Sequence, residues 1–296
     1  MNTSWIQSSP KLMDLGHTQL AYWRVGRGPD LLFVHGWPLD ARTWRDIVSE
    51  LSQDFTCHLI DLPGAGKTVS SAQTPTGFNG MVTVLVEAFD QIEFAGPVGL
   101  VGHDSGGSFA RLLAAQRPEQ ISGLVLGNTE IPGHHPWRLR ALLVLGRSSL
   151  APTMMRNVLS TRAGRWAMLR DCVHDTSLIE SSLSPMFLQR LVDDPRALAG
   201  ALAMAKTVRP EDFDAVGPAH REITAPVKLV WGAEDPWFPL QKARAMCAEF
   251  AGECTLVEVA QGKLFVHEEH PARFAREIRA HFAPRQRRDS ASQIPV

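Results

Sequence analysis

Short unbroken aliphatic runs alternate with amphipathic segments along this chain, and that alternation restricts the fold more than any other feature. The runs "DLLFVHG" (30–36), "FTCHLIDLPG" (55–64), "PVGLVGHD" (97–104), "ISGLVLGN" (121–128), "PVKLVWGAED" (226–235) and "ECTLVEVA" (253–260) read as strands. Continuous aliphatic strands alternating with helices imply a parallel sheet covered on both faces. Helical patterns lie between these runs. Asp40 is placed to cap a helix that carries Trp44, Ile47, Val48 and Leu51 on one face. Residues 79–92 read as a second helix, and "SGGSFARLLAAQ" as a third that starts directly after a strand. The last opens at Pro271 and aligns Phe274, Ile278 and Phe282 on one side. Together these predict an α/β fold, a mostly parallel doubly wound sheet with helices on both faces.

The alternation breaks once. From 131 to 222 there are only helical patterns rich in Leu, Met, Arg and Trp, such as "WRLRALLVLGR" and "APTMMRNVL". This predicts a helical insertion at 131–222 between two strands of one sheet, set in a core of residues 1–130 and 223–284. The tail 285–296 is polar, has no apolar periodicity and is expected to be disordered. With 296 residues the chain can form one large domain with such an insertion. Its 44% apolar and 21% charged content is ordinary for a soluble protein.

A net charge of −1 gives no argument for nucleic acid or an acidic membrane surface. No apolar run approaches the ~18 residues that would span a bilayer. The start "MNTSWIQSSPKLMD" lacks a basic stretch followed by an apolar core, so a secretory signal is not expected. The expectation is a cytoplasmic protein, monomeric or homodimeric, that takes a small-molecule substrate and needs no metal or other cofactor. Cys57, Cys172, Cys247 and Cys254 have no metal-like spacing and are expected to be four reduced, mostly buried thiols.

Two motifs compete for attention. "GAGKT" (64–68) suggests a phosphate loop, but the glycine required five residues before Gly66 is Asp61, so the segment reads as a strand-end turn. "VGHDSGG" (101–107) is stronger. A nucleophile elbow turns sharply from strand to helix and needs small residues two before and two after the reactive one. Centred on Asp104 these are Gly102 and Gly106; centred on Ser105 they are His103 and Gly107. A histidine does not fit the crowded position, so the register selects Asp104. In such an architecture "HGWP" (35–38) follows a strand and supplies one oxyanion amide, from Trp37, while Ser105 supplies the other. "WGAEDPWFP" (231–239) sets Asp235 just past a strand end, where a carboxylate orients an imidazole.

With "DLPGAG" and "FVHEEHP" added, these segments resemble the α/β-hydrolase fold, in the subgroup of epoxide hydrolases and haloalkane dehalogenases, over roughly residues 18–283. The resemblance implies that Asp104 attacks carbon to give an alkyl–enzyme ester, which a histidine-activated water then cleaves. It also implies a helical cap at 131–222. This chain departs from the pattern at the base. Aligned on "FVHEE", the expected histidine position is Leu264, and His267 lies three residues later. Either His267, or a cap histidine such as His134 or His135, substitutes, or the protein does not hydrolyse by the usual route.

Other departures follow from the same resemblance. Epoxide hydrolases of this fold use two cap tyrosines, whereas the only tyrosine here is Tyr22, in the N-terminal strand "LAYWRV". Dehalogenases usually place a Trp after the nucleophile to hold the halide, and here that residue is Ser105; Trp37 could offer its indole from the other loop. Arginines that hold a small carboxylate in fluoroacetate-type enzymes are replaced by Ser105 and Ser108. His35 and His103 read as structural hydrogen-bonders, Glu130 as a second acid position ranked below Asp235, and "HHPW", with Trp137, as pocket lining or a solvent-exposed hinge. The leading function is therefore an Asp104-dependent hydrolase-like enzyme for a small, mostly apolar electrophile. The alternatives are a base-deficient cyclase, transferase or binding protein, and a Ser105 esterase.

Overall fold

The computed structural model describes residues 4–283, so the tail expected to be disordered at 285–296 lies outside the described residues. Nine strands form one sheet: β1 (Lys11–Asp14), β2 (Thr18–Gly26), β3 (Asp30–Val34), β4 (Thr56–Ile60), β5 (Val69–Ser70), β6 (Val98–Gly102), β7 (Ile121–Gly127), β8 (Val227–Gly232) and β9 (Cys254–Val259). Their order is β1-β2-β4-β3-β6-β7-β8-β9, with β5 pairing with β2 off that path. β1 and β2 are antiparallel to their neighbours, whereas every neighbouring pair from β4 to β9 is parallel. The expected mostly parallel, doubly wound sheet is present.

Successive side chains on a strand face opposite ways, and the core divides accordingly. Leu32, Val34, Leu100, Leu124, Leu126 and Leu229 join one apolar cluster. Leu31, Phe33, Val101, Val125 and Val230 join another, with Trp44 and Phe274. The helix Arg45–Leu51 is entered through Asp40, whose Oδ1 accepts from Arg42 N at 3.0 Å. It buries Ile47, Val48 and Leu51 on the second face, against the helix Pro271–Phe282. The chain leaves β3 toward β4 and later enters β6 on the other side of β3. Ligand crevices form at such a switch point, beyond the carboxyl ends of the two strands. "HGWP" and "HDSGG" occupy that place.

Between β7 and β8 the chain runs in helices and loops, including Trp137–Gly146, Ala151–Ser160, Arg162–Leu169 and Pro195–Thr207. Ile179–Leu188 is a wide-turned π helix containing Pro185, whose missing N–H removes a donor from the regular ladder. The helix Pro195–Thr207 meets the core backbone to backbone. A Cβ added at Gly64, in the "DLPGAG" turn, would lie 2.4 Å from Gly200 O.

One expectation is corrected. Cys247 and Cys254 are joined in a disulfide, with Cα atoms 5.5 Å apart; Cys57 and Cys172 are free and buried. The reason is local. The helix Leu240–Cys247 ends and β9 begins seven residues apart in sequence, and the reversal between them brings the two side chains within bonding reach. The expectation of four thiols rested on a cytosolic setting and on the lack of metal-ligand spacing, and neither carries information about such a reversal.

Candidate active site

β6 stops at Gly102, and the helix Ser105–Gln116 starts immediately after Asp104, which has φ 50° and ψ −138°. A non-glycine residue at positive φ is a strained one, held only where its surroundings over-determine it. Here Asp104 N donates to Asn128 O at 2.8 Å, and Asp104 O accepts from Gly107 N and from Thr129 Oγ1. The flanking glycines are needed for space. A Cβ on Gly102 would lie 2.8 Å from Gly107 Cα, and one on Gly106 would lie 2.3 Å from Val34 O. Gly36 packs on the reactive position itself, since a Cβ there would meet Asp104 Cβ at 2.5 Å.

Asp104 Oδ2 accepts from Trp37 N at 2.9 Å, and Ser105 N–H also donates to the carboxylate. Ser105 Oγ is 3.4 Å from the same oxygen. Burial, with the nearby Glu130 charge as a second cause, pushes the Asp104 carboxyl well above its ordinary range. Glu130 sits on the loop after β7, its Oε2 accepting from Ser108 Oγ at 2.8 Å and Thr129 Oγ1 at 3.2 Å. Burial raises its pKa too. Both carboxyls open on one apolar cavity of about 110 Å³, whose wall includes Trp37, Ser105, Cys172 and Leu264. Trp37 reaches that wall with its indole N–H already donated to Ala201 O at 2.8 Å.

Asp235 stands just past β8, buried behind this wall. Its Oδ1 accepts from Trp237 N and its Oδ2 from Asn128 Nδ2, each at 2.7 Å. Burial pushes its pKa up to about 7. Asn128 is fixed in turn, because its Oδ1 accepts from Gly232 N at 2.7 Å. Leu264 lines the cavity, and its carbonyl accepts from His103 Nε2 at 2.9 Å.

His267 lies elsewhere. It belongs to the short helix Val266–Glu269 and is fully buried, 4.8 Å from the Trp44 ring and 4.0 Å from the His103 ring. Its Nε2 is 2.7 Å from Thr43 Oγ1, which donates to Glu268 Oε1 at 2.6 Å. A hydroxyl has one proton to give, and the Glu268 carboxylate paired with Arg45 takes it. His267 Nε2 is then the donor to Thr43. Burial drives the imidazole pKa well below its ordinary value.

The other candidate histidines have backbone or carboxylate partners. His35 bridges two loops, with Nδ1 3.0 Å from Gly36 O and Nε2 accepting from Leu62 N at 2.9 Å. His134 Nε2 is 3.0 Å from Trp237 O, and His135 Nε2 is 2.9 Å from Asp214 Oδ1. Trp137 is 71% exposed and turns to solvent. The structure thus gathers Trp37, Asp104, Ser105, Glu130 and Leu264 around one cavity and sets His267, His135 and Trp137 away from it. Two residues of the site had gone unread. Asn128 ends the run "ISGLVLGN", and its part depends on β7 lying beside β8. Cys172 reaches the cavity from the helices and loops between β7 and β8. Among the described residues no cluster of three or more His, Cys, Asp or Glu is placed to hold a metal ion.

The chain has known relatives. Haloalkane dehalogenase 2 of Mycobacterium tuberculosis is 27% identical over 282 residues, covering 90% of this chain and 92% of that protein. Among solved structures, the epoxide hydrolase CorEH superposes with a TM-score of 0.79 at 21% identity, covering 94% of this chain and 99% of that one. A thermophilic esterase from Thermogutta terrifontis superposes with a TM-score of 0.73 at 19% identity, covering 92% and 96%. At such identities the structural likenesses establish the fold alone. The Alpha/beta hydrolase family matches residues 31–277, and with the elbow, the sheet order and the switch-point cavity in place, the chain belongs to that family.

Proposed function

We propose that Asp104 is the nucleophile of a hydrolase-like enzyme for a small, mostly apolar electrophile, and that residues 131–222 form a cap over the core of 1–130 and 223–284. The observation that carries this is the strained Asp104 itself, one oxygen held by the Trp37 amide while the carboxyl faces an apolar cavity. Asp104 Oδ1 attacks a saturated carbon, a C–O ester bond forms, and the carbon–leaving-group bond breaks with its electron pair going to a halide or an epoxide oxygen. The Trp37 and Ser105 amides stabilise the oxygen held between them. A 27% identical relative named for dehalogenation supports the substrate class.

The second half-reaction lacks its usual base. Leu264 presents methyl groups where an imidazole would take a proton from water, and His267 is committed to Thr43. General-base help is worth ~10²–10⁴-fold, so the ester is expected to persist. A Ser105 esterase has less support, because the hydrogen-bond contact of that hydroxyl is Asp104 Oδ2, a carboxylate on a strained turn. A base other than histidine has one specific observation behind it: Glu130 opens on the same cavity as Asp104.

The test is intact-mass and peptide mapping after exposure to a bromoalkane and an epoxide. The expected result is a stable adduct on Asp104, absent in Asp104→Asn, with leaving-group release that stops after about one equivalent. An adduct on Ser105, or none on any residue, overturns the proposal. Sustained turnover lost in both Asp104→Asn and Glu130→Gln would instead install Glu130 as the base.

A further inference from the structure

The insertion exposes apolar side chains that a folded protein normally covers. Trp137, Val144 and Leu145 on the helix Trp137–Gly146 are exposed, as are Leu150, Met154 and Val158 on and before the next helix. Leu150 and Val144 show more than 60% of their surface. Leu150, Met154 and Val158 recur every four residues and so share one side of their helix. Trp137 and Val144, seven apart, likewise share a side. The helix "WRLRALLVLG" is apolar nearly all round, a pattern that belongs in a buried setting, yet Leu143 is buried while Val144 and Leu145 are not. Contiguous patches of this kind mark binding surfaces.

The patch also leads inward. Leu145, Met154 and Val158 border a second hollow, of about 170 Å³, with an almost wholly apolar lining. That hollow shares Trp37, Leu142, Met168 and Ala205 with the cavity at Asp104. An apolar molecule resting on this face has a route of matching polarity to the carboxyl.

Charge identifies what covers the face. Residues 131–170 contain seven arginines, no lysine, and no Asp or Glu. The two half-buried ones are paired, Arg138 with Asp171 and Arg165 with Glu180. The other five, Arg140, Arg147, Arg156, Arg162 and Arg170, are exposed. Arg140 falls between Trp137 and Val144 on one helix, Arg147 three residues before Leu150, and Arg162 four after Val158. Exposed apolar side chains interleaved with exposed positive charge suit an anionic lipid surface, where the apolar groups reach the headgroup–acyl boundary and the arginines meet lipid phosphates. A second copy of the chain suits it poorly. A two-fold interface would set this arginine-bearing face against itself, and like charges opposed at an interface cost affinity.

We propose that the face formed by residues 137–158 docks reversibly on anionic membranes, with the chain lying on the lipid, and takes up its apolar substrate from there. Among the described residues no helix is long and apolar enough to cross a bilayer. The docking does not depend on which side chain reacts, so its test reads binding alone.

The experiment is co-sedimentation of the full chain with vesicles of phosphatidylcholine alone and of phosphatidylcholine mixed with phosphatidylglycerol, over a salt series. Binding is expected to the phosphatidylglycerol vesicles only, weakening as salt rises. Arg156→Gln with Arg162→Gln should weaken it by about 25-fold, from about fivefold per arginine. Met154→Glu with Val158→Glu should abolish it while circular dichroism and melting stay near wild type. Should that pair unfold the insertion, Trp137→Ala, at a position already facing solvent, is expected to weaken binding without loss of fold. Absence of binding to phosphatidylglycerol vesicles, or equal binding to both kinds, overturns the proposal. So does a concentration-dependent dimer that Met154→Glu with Val158→Glu disperses, which would make the occupant a second copy.

Discussion

Asp104 and Asp235 are both carboxyls whose ionisation the protein opposes, and the consequences differ. A nucleophilic Asp104 must be ionised, while burial and Glu130 hold its proton on. The rate of adduct formation is therefore expected to rise with pH, and Glu130→Gln, by removing one negative charge, to shift that rise to lower pH. Stopped-flow halide release over a pH series reads both. Asp235 is neutral in the folded protein up to about 7 but ionises near ~4 when unfolded. Between those values the folded state holds the extra proton, so its contribution to stability falls as pH rises from about 4 to about 7 and is level above. In Leu264→His a neighbouring imidazolium favours the ionised carboxylate, so the difference in Tm between about pH 5 and about pH 8 should shrink. The same variant is expected to cleave the Asp104 ester and release the adduct. A Leu264→His protein whose adduct is as stable as wild type would show that position 264 does not reach the ester. His267→Ala should cost about 2–4 kcal/mol of stability, from a buried cavity and the lost hydrogen bond to Thr43, and leave adduct formation unchanged. Denaturant melts and adduct mass decide that together. The elbow left a mark in the sequence because crowding at Gly102 and Gly106 excludes side chains. Asn128 left none, since an asparagine at a strand end acquires its role only from the neighbouring strand.

Secondary elements were legible where a single physical demand acted on the whole segment. Strands buried on both faces have no polar positions to spare, so β3, β4 and β6 read directly as aliphatic runs. Their ends read too long, by one to several residues. The run 226–235 stops as a strand at Gly232, and the remainder to Asp235 turns away to build the site. β1 and β5 are only four and two residues long, too short for any periodicity to show. The disulfide belongs to this scale too. It closes a loop between a helix end and the edge strand β9, so reduction is expected to cost about 2 kcal/mol, measured as a shift in denaturant midpoint between oxidised protein and protein in dithiothreitol. The helix Pro195–Thr207 makes one close backbone approach to the turn at Gly64. A Cβ on Gly200 would lie 2.9 Å from Gly64 Cα, so Gly200→Val should loosen the helix Pro195–Thr207 and speed proteolysis within 131–222 relative to the core.

At the scale of the whole molecule, averages concealed what regional composition reveals. The net charge of −1 gave no argument for an acidic membrane as a partner, yet it sums a strongly basic stretch at 131–170 with an acidic remainder. Residues 131–170 carry +7, so the rest of the chain carries −1 − 7 = −8. Fold class survived the averaging, because it rests on a pattern repeated along the chain. The position of Cys172 in the cavity wall did not, because it follows from how the insertion folds back. The five exposed arginines at 140–170 give these helices a positive pole, in a chain whose residues outside 131–170 sum to −8. In an external field a dipole experiences torque before it makes any contact. Near a negatively charged boundary the molecule is expected to turn that pole forward within about a Debye length, some 8 Å at physiological salt, so that its encounters begin already aligned.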